Sequence, residues 1–587
     1  MCNSCSHAPE RPDWARSEVS DDALDELSLS RRRLMQAAAA IAGTMALGAA
    51  GTSQAPAAMA APIAPRVNNT GEYNYLVGDH HVHSQYSYDA KYKISMQLDN
   101  AEKFGLDWMA FTDHSNIGYA NRGGLLNSHA EIVRERGARP NLMIFQGLEW
   151  WIPGAEHGTL LVPPCTNDTR LIRLFQLAHD GRLNGMEKPE RGTQQEQDWE
   201  AKAVKAIQWL KTQRDNGFVD DIVVLANHPM RLGINSPHEM RAWRDAAPEL
   251  FIGMEGAPGA QAYAYSTNVN PGDVRGEYTN GPGGSYGQST YLGYAEALYK
   301  TFGGFDSMTA LVGGLWDSML AEGKPFWITS NSDNHLTARD TWRFDETKYP
   351  DTPAYQAAGS ERKKYEVAGR RPDPVATNTP QGGSDFWPGQ FSRTHTGVTE
   401  RSYRGVLDAM RAGRMWVDHG HLINGFEARV RVVGSAERGV TLGGRLQAPK
   451  GSDIEIELTV TPTTYANSFG ITPKLAHLDI IEGLVTGPVT DPDTLTTPNT
   501  KVREQIDTSS NGSEPFTIKR VLRGVDSSRY VRFRGSDGRR NGPGYYGADI
   551  DPAGPQPHGY DVSPTADEGN PWLDTWFYSN PIFIDVK

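Results

Sequence analysis

The sequence predicts an α/β barrel followed by a β-sandwich-like domain, and three observations carry that prediction. From about Tyr73, short β-like runs alternate with amphipathic helical runs, the pattern of an α/β domain. Each strong strand run is followed within a few residues by His, Asp or Glu, and an α/β barrel places its chemistry at strand C-termini in this way. After about Gly425 the helical signal stops, and the chain continues in short alternating runs broken by Gly, Pro, Asn and Asp.

Taken in order, Tyr75-Leu76-Val77 leads into the first histidines. Ile94, Leu98, Ala101 and Phe104 then recur at helical spacing until Gly105 ends the run. Trp108-Met109-Ala110-Phe111 and Leu142-Met143-Ile144-Phe145 read as the next strands. Trp199 to Asp215 reads as a helix with Val204, Ile207, Trp209 and Leu210 among its apolar positions. Ile222-Val223-Val224-Leu225 and Phe326-Trp327-Ile328-Thr329 complete the strong strands. Ala257 to Gly287 and Leu336 to Gln390, rich in Gly, Pro and polar residues, break the alternation and read as long loops or insertions. Beyond them, Ile454-Glu455-Ile456-Glu457-Leu458 and Tyr530-Val531-Arg532-Phe533 alternate as sandwich strands do.

With 587 residues, 38% of them hydrophobic, the chain is long enough for more than one core. The formal charge of -13, with no basic run after the N-terminus, argues against nucleic acid or an anionic membrane as a partner. Divalent cations bound at a site would still let it attract an anionic substrate.

The first 60 residues read as an address. Ser30-Arg31-Arg32-Arg33-Leu34-Met35-Gln36 resembles the twin-arginine export motif, Ala37 to Ala50 is mildly apolar, and Ala58-Met59-Ala60 supplies a small-x-small cleavage pattern. The expectation is a periplasmic or secreted protein that uses the twin-arginine machinery and is not membrane-embedded when mature, with a barrel over 61–425 and a β-rich domain over 426–587. Cys2 and Cys5 fall in the removed segment, which leaves Cys165 without an intrachain disulfide partner.

His81 and His83 stand two apart on a strand, so both face one way and can share a cation, while His80 faces the other side and reads as structural. Alone, this spacing would be a coincidence. It is followed by Asp89, by Thr112-Asp113-His114, by Gly147-Leu148-Glu149 with His157 behind it, by Asn227-His228-Pro229, and by Ser332-Asp333-Asn334-His335.

This ordered set resembles the PHP (polymerase and histidinol phosphatase) superfamily over roughly Tyr73 to Gly425, and Gly105 to His114 is similar to that family's second motif nearly throughout. The resemblance implies a distorted (β/α)7 TIM-like barrel and nine metal ligands: His81, His83, Asp89, His114, Glu149, His157, His228, Asp333 and His335. In the three-metal version, His81, His83, Glu149 and Asp333 hold one ion. Glu149 bridges to a second with His157 and His228, and Asp89, His114 and His335 hold a third. Mixed imidazole and carboxylate donors suit two or three Zn, Mn or Fe ions without distinguishing them.

Such a centre implies hydrolysis of a small-molecule ester by metal-bound hydroxide, most simply a phosphoesterase reaction. Glu149 and Asp333 fix the water, Asp333 can take its proton, and Arg231 can neutralise a substrate oxyanion or sit in a salt bridge. Asp113 reads as orienting a histidine.

Phe391 to Thr394, Gly405 to Arg414 and Tyr578 to Ile584 are similar to the CehA/McbA branch, which includes carbamate hydrolases. Carbamate, amide or carboxylic ester hydrolysis is therefore the alternative, and a non-catalytic metal- or ligand-binding protein the reading of another class. Cations near the third ion would favour phosphate, and a pocket lined by Trp150 and Trp151 an aryl carbamate, although packed aromatics are the commoner case. His419 and His421 repeat the H-x-H spacing without partners and read as non-ligands. His395 lies near a loop that could approach the site.

Overall fold

The computed structural model describes residues 72–115, 124–263, 275–276, 287–299, 301–344, 357, 359, 369–539 and 570–587. The export motif at Arg31 and Arg32, the cleavage pattern at Ala58 to Ala60 and the Cys2–Cys5 pair lie outside the described residues. So does much of the two segments read as loops, Ala257 to Gly287 and Leu336 to Gln390.

Seven strands carry the first part of the fold: β1 (Asn74–Val82), β2 (Trp108–Phe111), β3 (Met143–Trp151), β4 (His157–Val162), β5 (Val223–Ala226), β6 (Phe251–Ala257) and β7 (Trp327–Ser330). They neighbour one another in chain order. The pairs β1–β2, β2–β3, β5–β6 and β6–β7 are parallel, and β4 runs antiparallel to both of its neighbours. The two ends of the run meet where the site lies. Val82 and Asn334 form a parallel bridge, and the His83 N–H donates to the Asn334 carbonyl at 3.1 Å.

Helices cover this sheet because their apolar positions recur at helical spacing. Ile94–Lys103 buries Ile94, Leu98 and Ala101, and Gln194–Asp215 buries Ala203, Ala206, Ile207 and Leu210. Pro237–Ala246 starts with a complete capping box in which Ser236 and Glu239 satisfy each other's backbone N–H groups. Helices and strands share one core that includes Trp108, Phe145, Trp150, Trp243, Trp316 and Trp327.

Two strands escape the sequence reading. β3 continues through Glu149 into Trp151 and turns back as β4, so His157 begins a strand rather than a loop. β6 is interrupted in sequence by Gly253 and Gly256, which weakens its pattern. A Cβ on Gly253 would stand 1.9 Å from the Trp327 carbonyl oxygen, so the close approach of β6 and β7 requires glycine there.

The small ladder of β8 (Trp342–Arg343) and β9 (Val375–Ala376) precedes β10 (Ser392–Val398) and β11 (Met415–His419), which extend the large sheet beyond β1. The β-rich region follows with β12 (Ile423–Val432), β13 (Arg445–Ala448), β14 (Ser452–Pro462), β15 (His477–Leu484), β16 (Thr500–Asp507), β17 (Phe516–Val525), β18 (Arg529–Ser536), β19 (Trp576–Ser579) and β20 (Ile582–Val586). The sheet β12–β14–β17 stacks on the other strands through a second core. Ile454, Ile456, Leu458 and Val460 of β14 alternate inward to meet Leu478, Ile480, Val531 and Phe533.

This sandwich is continuous with the first part, since β19 pairs with β11, and Gly425 falls inside β12. Buried ion pairs weld the two: Arg532 on β18 binds Asp317 of the helix Leu315–Ala321 through two hydrogen bonds of 2.8 and 2.7 Å. No helix among the described residues is long and apolar enough to cross a membrane.

Candidate metal centre

The strand ends bring the sequence-predicted ligands together in one buried cluster. At the end of β1, alternation turns His81 and the next residue but one, His83, to the same side, where their Nε2 atoms stand 3.0 Å apart. Asp333 Oδ1, from the turn after β7, lies 3.0 Å from His81 Nε2 and 3.2 Å from His83 Nε2. Glu149 on β3 completes the group, with Oε1 3.3 Å from His81 Nε2 and Oε2 3.1 Å from His83 Nε2.

The remaining five surround this group. Glu149 Oε1 also meets His157 Nδ1 at 2.8 Å and His228 Nε2 at 3.1 Å, so this carboxylate touches two ligand sets at once. His114 Nδ1 lies 3.1 Å from Glu149 Oε2, and its Nε2 lies 3.4 Å from Asp89 Oδ2. His335 Nε2 is 3.5 Å from Asp89 Oδ1, and its ring stacks on that of His83 with centroids 3.8 Å apart.

The donors fit divalent cations. A tetrahedral ion with bonds of about 2.0–2.1 Å sets its ligand atoms about 3.3 Å apart. The two imidazole Nε2 atoms of His81 and His83 stand 3.0 Å apart, and each lies 3.0–3.3 Å from an oxygen of Glu149 and of Asp333. His157 Nε2, His228 Nδ1 and Asp89 Oδ1 are buried without hydrogen-bond partners among the described residues. Burial works against ionisation of Glu149, yet the facing His114, His157 and His81 hold its carboxyl well below the usual range. Burial opposes ionisation of Asp333 likewise, and His81 and His335 hold that carboxyl low.

Backbone strain is concentrated here. His228 and Asp333 hold φ of 27° and 43°, in the left-handed region that non-glycine residues seldom adopt. Asp333 is fixed from behind, because Gly259 packs so close that a Cβ there would stand 2.1 Å from Asp333 Cβ. Asp79 Oδ1 accepts from the His81 N–H and Oδ2 from the Ser332 N–H, at 3.1 and 3.0 Å, tying β1 to the same turn. Burial pushes the Asp79 carboxyl up to about 7.

Two residues absent from the sequence reading belong to the site. Glu255 on β6 accepts from His81 Nδ1 and from the His228 N–H. Glu156, fully buried beside His157 and His228, pairs with Arg231 at 3.1 Å and with Lys188 at 3.2 Å. Burial opposes its ionisation, but Lys188 and Arg231 bring its carboxyl down to about 2. The signal for Glu156 was its place directly before His157; Glu255 gave none, because β6 itself was hidden.

Other expectations divide. Arg231 is seated in the Glu156 salt bridge. Asp113 accepts from the Ser84 N–H and Oγ rather than orienting a histidine. Ser87 Oγ does orient one, lying 3.0 Å from His83 Nδ1. His80 faces away, with Nε2 2.8 Å from Thr329 Oγ1. Trp150 is core, packed on Phe175, whereas Trp151 walls the centre with its ring 4.1 Å from that of His157. His395 stacks on Trp416 at 3.5 Å and meets Asp418, inside the sheet rather than at a loop. His419 packs between Phe305 and Phe391, and His421 Nε2 meets the Gly389 carbonyl.

The family model of the PHP domain matches residues 79–252. A two-domain protein from Bacteroides vulgatus containing a predicted PHP-like metal-dependent phosphoesterase aligns at 12% identity over 82% of this chain and 95% of its own, with a TM-score of 0.27. Endonuclease Q, in complex with a 27-mer duplex carrying an abasic lesion, aligns at 15% identity over 31% of this chain and 42% of its own, with a TM-score of 0.20. Scores this low bear on neither fold nor chemistry. No curated protein matches. The matched stretch takes in His81 through His228, the strands that present them and seven of the nine clustered ligands, and the chain therefore carries a PHP domain.

Proposed function

We propose that this chain is a metal-dependent hydrolase acting on phosphate esters, with His81, His83, Glu149 and Asp333 holding one cation, Glu149, His157 and His228 a second, and Asp89, His114 and His335 a third. Divalent cations held there supply an activated water and stabilise negative charge on the reacting ester. Glu149 and Asp333 hold the ligand sets in register, and Glu255 fixes the ring of His81.

The observation that favours phosphate is the charge beside the centre. The Arg182 guanidinium lies 4.6 Å over the Tyr88 ring and 5.3 Å from the Trp151 ring, and both rings pack against His114. Arg231 and Lys188 meet at Glu156 beside the clustered residues, and Arg182 stands on the Trp151 side of them. Such a set binds the non-reacting oxygens of a phosphoryl group and gives a neutral carbamate nothing comparable. Trp150, needed for an aryl pocket, is spent in the core.

The test is turnover of p-nitrophenyl phosphate against p-nitrophenyl N-methylcarbamate by the metal-loaded protein. Phosphate is expected to be hydrolysed faster, and Arg182→Ala to raise its KM by about tenfold or more. Faster carbamate hydrolysis, insensitive to Arg182→Ala, would contradict the reading. We further propose export by the twin-arginine route, supported by Ser30 to Gln36; replacing Arg31 and Arg32 with Lys should retain the protein in the cytoplasm.

A further inference from the structure

A cavity of about 570 Å³ is walled by Met230, Leu298, Met308, Leu311, Leu315 and Leu495. Among the described residues, no Asp, Glu, Lys, Arg or His lines it. Three polar groups in its wall are already used. Ser307 Oγ donates to the Leu298 carbonyl at 2.6 Å, Tyr294 Oη to the Asn235 carbonyl at 2.5 Å, and the Thr497 N–H to the Gly313 carbonyl at 2.8 Å. A cavity with this lining gives water few partners and a charged ligand no counter-ion, but it lies in the size range of small-molecule sites.

The cavity is also joined to the centre. Met230 stands two residues beyond His228, whose strained backbone is held by Glu255. The Met230 N–H donates to Asp306 Oδ2 at 3.1 Å, and Asp306 Oδ1 accepts from the N–H of Met308, another wall residue, at 2.7 Å. The Asp306 N–H donates to the carbonyl of Gly256, the neighbour of Glu255, at 2.9 Å. Asp306 thus links two wall residues through its carboxylate and the strand that carries Glu255 through its backbone N–H.

We propose that this cavity is a binding site for a neutral apolar group of aryl or medium-chain alkyl size. Two sources share that chemistry: the alcohol part of the ester hydrolysed at the metal centre, which rests on the function proposed above, and a separate apolar ligand, which does not.

The probe is the neutral dye N-phenyl-1-naphthylamine, titrated by fluorescence into the metal-loaded full chain. Saturable binding at one site is expected, weakened at least tenfold by Leu311→Trp and by Leu495→Trp, which fill the cavity from different walls, with metal content and circular dichroism unchanged. If Leu311→Trp does not fold, Leu495→Trp in the 495–498 wall segment carries the test alone. Absence of saturable binding, or binding equal in wild type and a folded Trp variant, overturns the proposal. A second arm separates the sources through kcat/KM for 1-naphthyl phosphate and methyl phosphate. A loss confined to the naphthyl ester assigns the cavity to the substrate's alcohol, and equal selectivity in wild type and variant assigns it to a separate ligand. Because dye binding is read without turnover, it stands or falls independently of the phosphoesterase reading.

Discussion

Glu255 accepts a 2.7 Å hydrogen bond from His81 Nδ1, and its other oxygen accepts one of the same length from the backbone N–H of His228. A single buried carboxylate therefore fixes the ring of one proposed ligand, leaving Nε2 to face Glu149 and Asp333, and pins the strained turn of another.

Glu255→Gln keeps the shape of the side chain and removes its charge. The expected result is metal affinity about 10–100-fold weaker, with the fold intact by circular dichroism. Competition against a chromophoric chelator measures it, and unchanged affinity would show that Glu255 does not tune the centre.

Trp150 and Trp151 are adjacent on β3 but face opposite ways, so their replacements separate stability from activity. Trp150→Ala empties a core position and should cost about 3–5 kcal/mol in denaturant unfolding. Trp151→Phe should leave stability nearly unchanged while altering KM. The converse assignment of effects would refute this placement.

His238 joins the helix Pro237–Ala246 to the C-terminal region, with Nδ1 2.6 Å from Asp493 Oδ1 and Nε2 3.1 Å from Glu200 Oε1. Burial lowers its pKa, but the hydrogen bonds to Glu200 and Asp493 prevail and raise it to about 9. A raised folded-state pKa means that the stabilisation is fully present below the unfolded value of about 6.5 and is lost as pH rises through the folded one. Melting temperature should therefore fall between pH 6.5 and 9 in wild type, and less steeply in His238→Gln. Parallel curves would exclude His238 as the source.

Asp317→Ala leaves Arg532 buried without its carboxylate partner between the first part of the fold and the sandwich. Removing one member of a buried pair should destabilise by about 3–5 kcal/mol. The measurement is urea unfolding of the full chain, and a loss below about 1 kcal/mol, the worth of an exposed pair, would mean that the contact does not weld the two parts.

Most of the cluster was legible because its residues sit at the ends of strongly patterned strands: Trp108 to Phe111 announces His114, and Val223 to Ala226 announces His228. Glu255 was not legible because Gly253, required by the approach of Trp327, dilutes the β6 pattern. Glu156, in the five-residue turn between β3 and β4 that reads as loop, was marked only by its place directly before His157. Arg182 and Lys188 carry no periodic signal, since only folding lays them against Trp151. The separate fates of Trp150 and Trp151 follow from strand alternation once β3 is known to run through them.

The measurement that tests the account most directly is metal content per chain, by mass spectrometry after loading and gel filtration, for wild type and His83→Ala, with phosphate ester hydrolysis read on the same samples. Two or three divalent ions per wild-type chain, fewer in the variant, and loss of hydrolysis with the ions are the predicted result. Equal metal content and equal activity in the two proteins would contradict it.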